Sequence, residues 1–528
     1  VWNKQFFHYD VSTWLQGDRV PPPPSRKQGR NHNWRHLKAS HVISMPDTWE
    51  FPWFAAWDLA FHCAALALID VDFAKEQIEL LLHENYLHPN GQIPAYEWAF
   101  DDVNPPVQAM SALKVFRAER VQRGKGDTAF LKRTLHKLLM NHSWWINRKD
   151  ATGMNIFEGG FLGLDNISVY DRSQQLPPGY SLKQADATGW MAMFSLQLTV
   201  IALEIAVEDP AYENIAIQCY NQFLAIGNTI AGHTGAGISL WDDADGFFKD
   251  LMVNPDGTVN RIDVFSWVGI IPLFACEVVD ARLLANCARF NDLLREHKGG
   301  MFDGSVICAC PVHTNERGEH LLSLVTASML VKMLPRIFDE GEFLSPHGVR
   351  SVSKHHDHAA SENPAHILDI GDTLIQYVPG ESSSALFGGN SNWRGPVWMP
   401  TNYLLVQAIE KMHRYLGDAF TFAAPCLNGY EINLKYAATL LAERLADIFR
   451  RDESDLIPAF SMDSPHQTDP HWRGLLLFHE YFHGETGQGL GASHQTGWSG
   501  LVANLVMRRY HMDIPEYWKK QTAPVTIK

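Results

Sequence analysis

Apolar residues recur at a helical spacing along almost the whole chain, whereas the alternation that marks a half-buried strand is rare and short. This pattern predicts about a dozen helices. They are Trp57 to Ile69, Phe73 to Leu87, Val107 to Val121, Thr128 to Asn147, Ala185 to Val207, Pro210 to Ile230, Ala281 to Glu296, Leu321 to Phe338, Thr401 to Leu416, Leu434 to Phe449, Gly497 to Tyr510 and a less regular one near Phe265 to Val279. Helices in this number, joined by long loops, favour an all-α domain arranged as a toroid of helical hairpins, in which the loops carry the chemistry.

Two stretches lack this periodicity. The segment Val20 to Arg30 contains four consecutive prolines, Pro21 to Pro24. We interpret it as a polyproline segment that lies on the surface or links to a domain upstream. We therefore assign 1–44 to an N-terminal segment and 45–528 to one catalytic domain. The irregular stretch Ser351 to Ser384 indicates an insertion or lid around 345–390.

Composition and charge exclude several classes of protein. The net charge is −15 and no basic stripe is present, which excludes a nucleic-acid partner on electrostatic grounds. The apolar runs Leu196 to Ile205 and Leu501 to Met507 are shorter than the roughly 20 residues that cross a bilayer, so we expect no membrane partner. The seven cysteines lack metal-binding spacing and no secretory signal begins at Val1. Both features favour a cytoplasmic location, and the sequence predicts no oligomeric state.

Tryptophan is frequent, at 17 residues, and many tryptophans lie in predicted loops beside Asp, Asn, Arg or His. These groups are Trp49 to Asp58, Tyr96 to Trp98, Leu240 and Trp241, Asn392 to Trp398, His471 and Trp472, and Thr496 to Trp498. Sugars present flat C–H faces and a rim of hydroxyls, which suit aromatic rings flanked by polar side chains. Core packing explains any single tryptophan better, but the set indicates a site for a small sugar or an oligosaccharide.

Cleavage of a glycosidic bond needs two carboxyls, one to protonate the leaving oxygen and one to act as base or nucleophile. Asp165 ends the glycine-rich segment Phe157 to Asp165, where tight turns and apolar neighbours would raise its pKa, as a general acid needs. An aspartate in a turn or at an N-cap is the alternative. Glu480 lies at the end of an apolar run, whereas Glu485 lies beside a Thr-Gly turn. The positions modestly favour Glu480 as the second carboxyl.

These segments resemble glycoside hydrolase family 63, which includes processing α-glucosidases and mannosylglycerate or glucosylglycerate hydrolases. The sequence Glu-Tyr-Phe-His-Gly-Glu-Thr-Gly from Glu480, followed by Gly-Ala and Gly-Trp-Ser, is similar to the family's C-terminal signature. Gly-Leu-Asp-Asn around Asp165 is similar to its general-acid segment, with Leu164 in place of the usual Met. The resemblance extends to Trp53 to His62, Asn392 to Tyr403 and the Asn-Pro-Pro turn at Asn104.

The resemblance implies an (α/α)6 toroid and an inverting hydrolase, with Asp165 as general acid and Glu480 as general base. It further implies substrate binding by Trp57, Asp58, Trp393, Arg394, Trp398 and Trp498. The predicted reaction is exo-acting release of terminal glucose from α-glucosides or oligosaccharides. One alternative is a mannosylglycerate or glucosylglycerate hydrolase, whose acidic aglycone would need extra cationic groups. Others are a non-catalytic carbohydrate-binding relative and a sugar epimerase that uses His62 and His494.

Inversion requires the two carboxyls to stand about 6.5 to 9.5 Å apart, so that a water fits between the base and the sugar. We expect Asp165 to be protonated near neutral pH and Glu480 to be ionised. We expect no cofactor and no catalytic metal. The acidic run from Asp242 to Gly246 lacks the final ligand of a calcium loop and is interpreted as a tight turn. The cluster of His355, His356 and His358 is interpreted as a solvated loop.

Overall fold

The computed structural model of the protein describes residues 4–16, 32, 38–47, 50–51, 53–96, 99–100, 103–150, 153–172, 174–230, 239–296, 314–357, 375–382, 391–494 and 496–508. Pro21 to Pro24, Cys308, Cys310, His358 and Tyr510 lie outside these residues. The interpretations of the polyproline segment, of the close cysteine pair and of part of the 345–390 insertion therefore stay predictions.

Helices dominate the described part of the chain. They are α1 Val11–Gln16, α2 Ala56–Leu66, α3 Val71–Leu81, α4 Gln108–Arg123, α5 Thr128–Arg148, α6 Ala185–Ala206, α7 Glu213–Ile230, α8 Trp267–Ile270, α9 Ala281–Leu284, α10 Ala288–Glu296, α11 Ala327–Ile337, α12 Met399–Leu416, α13 Leu434–Asp447, α14 Pro465–Thr468, α15 Thr496–Ser499 and α16 Val502–Met507. Side-chain caps start several of them. Asp70 accepts from the Phe73 amide, Asp127 from the Phe130 amide and Asn433 from the Tyr436 amide, which satisfies amides that lack a partner within the helix.

The strands are short and form small antiparallel sheets between the helices. They are β1 Lys4–Asp10, β2 Lys38–Ser44, β3 Ser181–Lys183, β4 Trp241–Asp242, β5 Phe247–Phe248, β6 Leu251–Val253, β7 Val259–Arg261, β8 Cys276–Val279, β9 His320–Ser323, β10 Leu344–Ser345, β11 Gly348–Val349, β12 Thr421–Ala424, β13 Tyr430–Asn433, β14 Tyr481–Phe482 and β15 Gly489–Leu490. Six sheets are strand pairs, and the seventh has the order β3, β6, β7. In the pair of β14 and β15, Tyr481 lies opposite Leu490. This hairpin begins directly after Glu480.

Helices that follow one another in the chain pack against each other. Helix α2 packs on α3 and α4, α4 on α5 and α6, α6 on α7, and α12 on α13. Helices α15 and α16 return to α2, where the Asn504 Nδ2 donates to the Ala64 carbonyl at 3.0 Å. The end of the described chain therefore packs against its first long helix. A closed toroid agrees with this arrangement but stays a prediction.

Helix α6 is the most deeply buried element. All of its 22 residues are buried, as expected of a helix that is apolar on every side and surrounded by other helices. Among the described residues it is the one helix whose length and apolarity would suffice to cross a bilayer, and its apolar window lies wholly inside the protein. The helix is longer than the apolar run Leu196 to Ile205 that the sequence suggested.

The predicted helices correspond to observed ones except at four places. One of them is Gly497 to Tyr510, whose described part is divided into α15 and α16. Leu321 to Phe338 was expected to be a single helix, but its start belongs to strand β9, and α11 begins only at Ala327. The segment near Phe265 to Val279 forms the short helix α8, a 3-10 turn and strand β8. Strands β8 and β9 pair with each other and are buried throughout. A short apolar run of this kind fits a buried strand as well as a helix. The fourth place is Ala281 to Glu296, which is divided into α9 and α10.

Candidate active site

Glu480 lies at the entrance of the hairpin formed by β14 and β15. Its side chain accepts a hydrogen bond from the Ala492 amide at 3.1 Å, and its own amide donates to the Ala492 carbonyl at 2.8 Å. The indole Nε1 of Trp498 donates to the Glu480 carbonyl at 2.8 Å. Gly491 has a φ of +66°, and a Cβ at this position would clash with Oε2 of Glu480. The hairpin therefore needs glycine here to leave space for the carboxyl.

Asp165 lies in a turn and is half-buried. The preceding residues Leu162 and Gly163 have φ values of +52° and +68°, so the backbone bends tightly just before the aspartate. Gly163 faces the Trp57 ring and Asn104, because a Cβ here would lie 3.2 to 3.3 Å from both. The loop that carries Asp165 thus packs against the start of α2 and against the Asn-Pro-Pro turn.

Three polar groups fix this loop. Arg394 donates from Nε to the Asn166 carbonyl at 2.6 Å and from Nη2 to the Ser168 carbonyl at 2.9 Å. The Trp393 amide donates to Oδ1 of Asn166 at 2.6 Å, and Nδ2 of Asn166 donates to Oδ1 of Asn392 at 3.1 Å. The segment from Asn392 to Arg394 therefore holds the backbone directly after Asp165.

The same loop is also anchored at both ends. The amide of Gly160 donates to Oε1 of Gln184, and Nε2 of Gln184 donates to the Gly160 carbonyl, both at 2.8 Å. At the other end, Arg172 is fully buried and donates to Asp186 at 2.6 Å. A loop held by buried ionic and amide contacts can place a catalytic carboxyl within a narrow range of positions.

Five aromatic side chains form one cluster next to Glu480. Trp398 stacks on Trp393 with ring centroids 3.9 Å apart and on Tyr481 at 4.5 Å. Trp498 meets Trp398 and Trp57 edge to face at 5.7 and 5.6 Å. Trp393 and Trp398 are each only 1% exposed. Because stacked neighbours cover Trp398, this ring supports the site and offers no open face to a sugar.

The remaining predicted substrate residues lie around this cluster. Trp57 and Asp58 occupy the first turn of α2 and are 3% and 5% exposed. The Arg394 guanidinium contacts main-chain carbonyls of the Asp165 loop, as described above. The structure brings all eight predicted site residues into one region. Direct contact of Trp57, Asp58, Trp393, Arg394, Trp398 and Trp498 with a sugar stays a prediction.

Burial and three neighbouring carboxylates set the charge of Glu480. Burial raises the pKa of Glu480 to about 8, and the negative charges of Asp165, Asp58 and Glu50 contribute to this rise, while the Ala492 hydrogen bond opposes it. The expectation that Glu480 is ionised at neutral pH is therefore wrong. It overlooked how completely the side chain is removed from water.

A second polar group, which the sequence did not indicate, lies beside the site. Asp47, Glu50 and His494 place potential ligand atoms within 4.8 Å of one another. Asp47 also accepts from the amides of Glu50 and His494 at 3.0 and 3.1 Å. Two carboxylates and an imidazole are ligands that a divalent cation accepts. No sequence motif marked them, because the two carboxylates and the imidazole come from nearly opposite ends of the chain.

Three other candidates have structural explanations. Burial lowers the pKa of His62 to about 3, and its Nδ1 lies 3.0 Å from the Ser44 hydroxyl, which does not suit a proton shuttle of an epimerase. Asp242 accepts from the Ala244 amide at 3.0 Å, so the tight turn expected there is confirmed. His356 is buried and accepts from the Phe265 amide at 2.9 Å, so it does not belong to a solvated loop.

Several asparagines were missed as functional candidates. Asn166 and Asn392 form the bridge between the Asp165 loop and the tryptophan segment, and Asn104 lies close to Gly163. Each of them lies inside a segment that the sequence did single out, so membership of these segments was the available signal.

Comparison with known proteins finds similarity to glycoside hydrolases. Residues 51–212 match the profile of the mannosylglycerate hydrolase MGH1-like glycoside hydrolase domain. The uncharacterized protein YMR196W of Saccharomyces cerevisiae is 44% identical over 525 residues, covering 96% of this chain and 48% of the relative. A probable mannosyl-oligosaccharide glucosidase of Schizosaccharomyces pombe is 22% identical over 513 residues, covering 90% and 52%. The chain thus spans about half the length of the curated relatives it matches.

A solved structure has the same fold. The family 63 mannosylglycerate hydrolase of Thermus thermophilus, in complex with glucose, superposes with a TM-score of 0.50 at 16% identity, covering 88% of this chain and 96% of that one. The fold is therefore shared with a glycoside hydrolase of known structure, while the closed (α/α)6 toroid stays a prediction. The domain match over residues 51–212 and the sequence relative support a glycoside hydrolase of the family 63 type.

Proposed function

We propose that this chain hydrolyses terminal α-glucosides of a neutral sugar or oligosaccharide with inversion, with Asp165 as general acid and Glu480 as general base. The observation that carries the proposal is the electrostatic contact of Glu480 with Asp165 and Asp58 inside an aromatic cluster. Glycoside hydrolysis needs two such carboxyls.

The raised pKa of Glu480 fits these roles if the two carboxyls are treated as a pair. Below about pH 8, the pair of Asp165 and Glu480 carries at least one proton. Titrations of coupled groups belong to the pair and not to either residue. A proton on Asp165 removes its negative charge and so favours ionisation of Glu480. Transfer of one proton therefore creates the reactive arrangement without changing the charge of the site.

In that arrangement the reaction needs no further group. Asp165 donates its proton to the glycosidic oxygen as the bond to the anomeric carbon breaks. Glu480 accepts a proton from a water molecule, whose oxygen attacks the anomeric carbon from the opposite side. The products are a β-configured sugar and the free aglycone.

The charges around the site favour a neutral aglycone. The charged groups that raise the pKa of Glu480 are Asp165, Asp58 and Glu50, all of them carboxylates. The Arg394 guanidinium is engaged by two backbone carbonyls. A glycerate carboxylate at this place would meet like charges, which costs binding energy in a partly buried site.

The substrate class is tested with a panel of glucose disaccharides that differ in linkage, together with mannosylglycerate and glucosylglycerate. We expect turnover of at least one neutral α-glucoside and weak or no turnover of the two glycerates. Preferred hydrolysis of mannosylglycerate would support the second candidate function, that of a mannosylglycerate hydrolase. This candidate is favoured by the match to a mannosylglycerate hydrolase MGH1-like domain.

The stereochemistry is tested by proton NMR during the first minutes of hydrolysis. Inversion of an α-glucoside gives β-glucose before mutarotation mixes the anomers. Initial formation of α-glucose, or a glycosyl ester trapped on Glu480, would contradict the inverting mechanism.

The two roles are separated with activated substrates and external nucleophiles. Asp165→Asn should lose several orders of magnitude on a disaccharide but much less on α-glucosyl fluoride, whose leaving group needs little protonation. Glu480→Ala should lose activity on both substrates and recover part of it with azide, giving the β-glycosyl azide. Unchanged turnover in either variant would contradict the catalytic role of that residue, whereas a wild type that binds sugars without turning over any of them would indicate a non-catalytic carbohydrate-binding protein.

A further inference from the structure

A separate cavity lies between α4, α6, α12 and strand β8. Its volume is about 40 Å³. One water needs about 10 to 15 Å³ of cavity volume, so this cavity has room for about three waters or one tetrahedral oxyanion. Its inner wall is apolar, formed by residues such as Met110, Met193 and Leu404, and its outer part carries polar and charged side chains.

The charged groups of this cavity are mostly positive. Lys114, Arg117 and Lys411 line it together with one carboxylate, that of Glu277. Two of the cations share this carboxylate, because Lys411 donates to Glu277 at 2.6 Å and Arg117 donates to it at 3.4 Å. Like charges repel strongly where protein replaces water, so an anion between the three cations would lower the electrostatic energy of the cavity.

Amide groups supply further polarity. Nζ of Lys114 lies 3.4 Å from Oε1 of Gln407 and 5.7 Å from the Tyr403 ring centroid. Gln197 is only 2% exposed and lines the cavity, and its Oε1 has no hydrogen-bond partner within the described structure. Buried polar groups normally have partners, and this acceptor needs a donor, which the O–H group of a hydrogenphosphate ion supplies.

The cavity is distinct from the glycosidase site. Helix α12 starts next to the aromatic cluster at Met399, and Lys411 lies in the last third of the same helix. With a rise of about 1.5 Å per residue, the two positions are about 18 Å apart along the helix axis. Neither Asp165 nor Glu480 is among the described residues that line the cavity, so an occupant of it does not contact the two carboxyls.

We propose that this cavity binds a small tetrahedral oxyanion of the phosphate class, held by Lys114, Arg117 and Lys411. The source is inorganic phosphate or the phosphate group of a phosphorylated sugar. Guanidinium and ammonium groups both bind phosphate oxygens through charge-assisted hydrogen bonds.

The experiment is titration calorimetry on the whole chain with sodium phosphate, with sodium chloride of equal ionic strength as the blank. Lys114→Met removes a half-buried cation of the cavity. Lys125→Met is the matched control, because Lys125 is on the surface with 77% of its side chain exposed. We expect saturable 1:1 binding by the wild type, at least tenfold weaker binding by Lys114→Met, and no change in Lys125→Met.

A second variant distinguishes a loss of phosphate binding from a loss of the fold. Ala408→Leu fills the cavity without changing its charge, and it should also abolish phosphate binding while circular dichroism reports the intact fold. A parallel titration with glucose 6-phosphate and with glucose distinguishes the sources. If glucose 6-phosphate binds more tightly than phosphate and Lys114→Met weakens this binding, the source is a sugar phosphate. Equal affinities of the two ligands indicate the free anion. Absence of saturable binding, or equal weakening in Lys125→Met, overturns the proposal whatever the glycosidase assays give.

Discussion

Glu480 combines complete burial with a position beside three carboxylates. Its side chain cannot ionise without leaving a negative charge in an aromatic surrounding, and the fold keeps it there with one hydrogen bond from the Ala492 amide. Such a group affects both catalysis and stability, because the pKa that tunes a reaction also enters the free energy of folding.

At the residue scale, the dependence of kcat/KM on pH should differ between substrates. With a disaccharide, kcat/KM should fall above about pH 8, because the pair of Asp165 and Glu480 loses its last proton there. With α-glucosyl fluoride, which needs little help from the acid, kcat/KM should keep rising through pH 8 as Glu480 ionises. Initial rates between pH 5 and about 9.5 measure both profiles.

Two variants that each replace a glutamate by glutamine test which charges raise the pKa of Glu480. Glu50→Gln removes one of the charges that raise the pKa of Glu480 and should move the rise seen with the fluoride to lower pH. Glu453→Gln removes an exposed glutamate that is not among the charges raising the pKa of Glu480. This variant should leave the pH of the rise seen with the fluoride unchanged. A flat profile around pH 8 with the fluoride would contradict ionisation of Glu480 as the event that controls the rate.

Glu480→Gln should stabilise the fold at neutral pH while abolishing turnover. A carboxyl whose pKa rises from 4.5 to about 8 on folding loses stability as pH increases between these values. At pH 7 this amounts to about 3 kcal/mol, from about 1.4 kcal/mol per unit. Denaturant unfolding should therefore show a gain at pH 7 that vanishes near pH 4.5. An equal gain at both values would exclude the carboxyl titration as its cause.

At the scale of single elements, the hairpin of β14 and β15 should tolerate no side chain at position 491. Gly491→Ala places a methyl group well inside van der Waals contact with Oε2 of Glu480, so the carboxyl must move. We expect kcat to fall by about a hundredfold, the effect of a misplaced catalytic group. Steady-state kinetics on the preferred glucoside measure this change.

Gly429→Ala is the matched control for that variant. Gly429 also has a positive φ, +79°, but nothing lies within 4 Å of its Cβ position. Both alanines cost about 1 to 2 kcal/mol of backbone strain. Only Gly491→Ala should lose activity out of proportion to its loss of stability. Comparable kinetics for the two variants would show that the space beside Glu480 is not required.

Arg394 should act on the rate through the Asp165 loop. Arg394→Lys keeps the positive charge but cannot reproduce both hydrogen bonds to the Asn166 and Ser168 carbonyls. We expect kcat on a disaccharide to fall by about tenfold to a hundredfold, with a smaller decrease on α-glucosyl fluoride. A rise of KM with unchanged kcat on both substrates would instead assign Arg394 to sugar binding.

Local periodicity predicted most helices, because each long helix carries its own apolar face. It failed at Leu321, where the apolar run forms strand β9 and pairs with β8 from a distant part of the sequence. The sequence also indicated the segments of Asp165 and Glu480. It could not indicate that Trp398 is stacked between aromatic neighbours, or that Asp58 and Glu50 raise the pKa of Glu480, because these effects arise from residues far apart in the chain.

At the scale of the whole molecule, the contact between the last helices and α2 should be a source of stability. Gly497 in α15 lies so close to His62 that a Cβ would overlap the imidazole Nε2. Gly497→Ala should destabilise the protein by about 1 to 3 kcal/mol through overpacking. Thermal or denaturant unfolding of the whole chain measures the change.

A double-mutant cycle tests whether that contact is responsible. His62→Ala alone leaves a gap in the core and is also destabilising. In the double variant the alanine at 497 has room, so its cost should largely disappear, with an interaction energy above about 0.5 kcal/mol. Additive losses would mean that Gly497 matters through its own backbone and not through packing on α2.

The stack of Trp393, Trp398 and Tyr481 also has an optical consequence. Indole rings 3.9 Å apart in nearly parallel planes couple their electronic transitions, and the fixed geometry makes that coupling chiral. Exciton circular dichroism should therefore report the joining of the segments around Trp398 and Tyr481, which are distant from each other in the sequence. The protein thus carries an intrinsic spectroscopic probe beside Glu480, readable before any substrate is known.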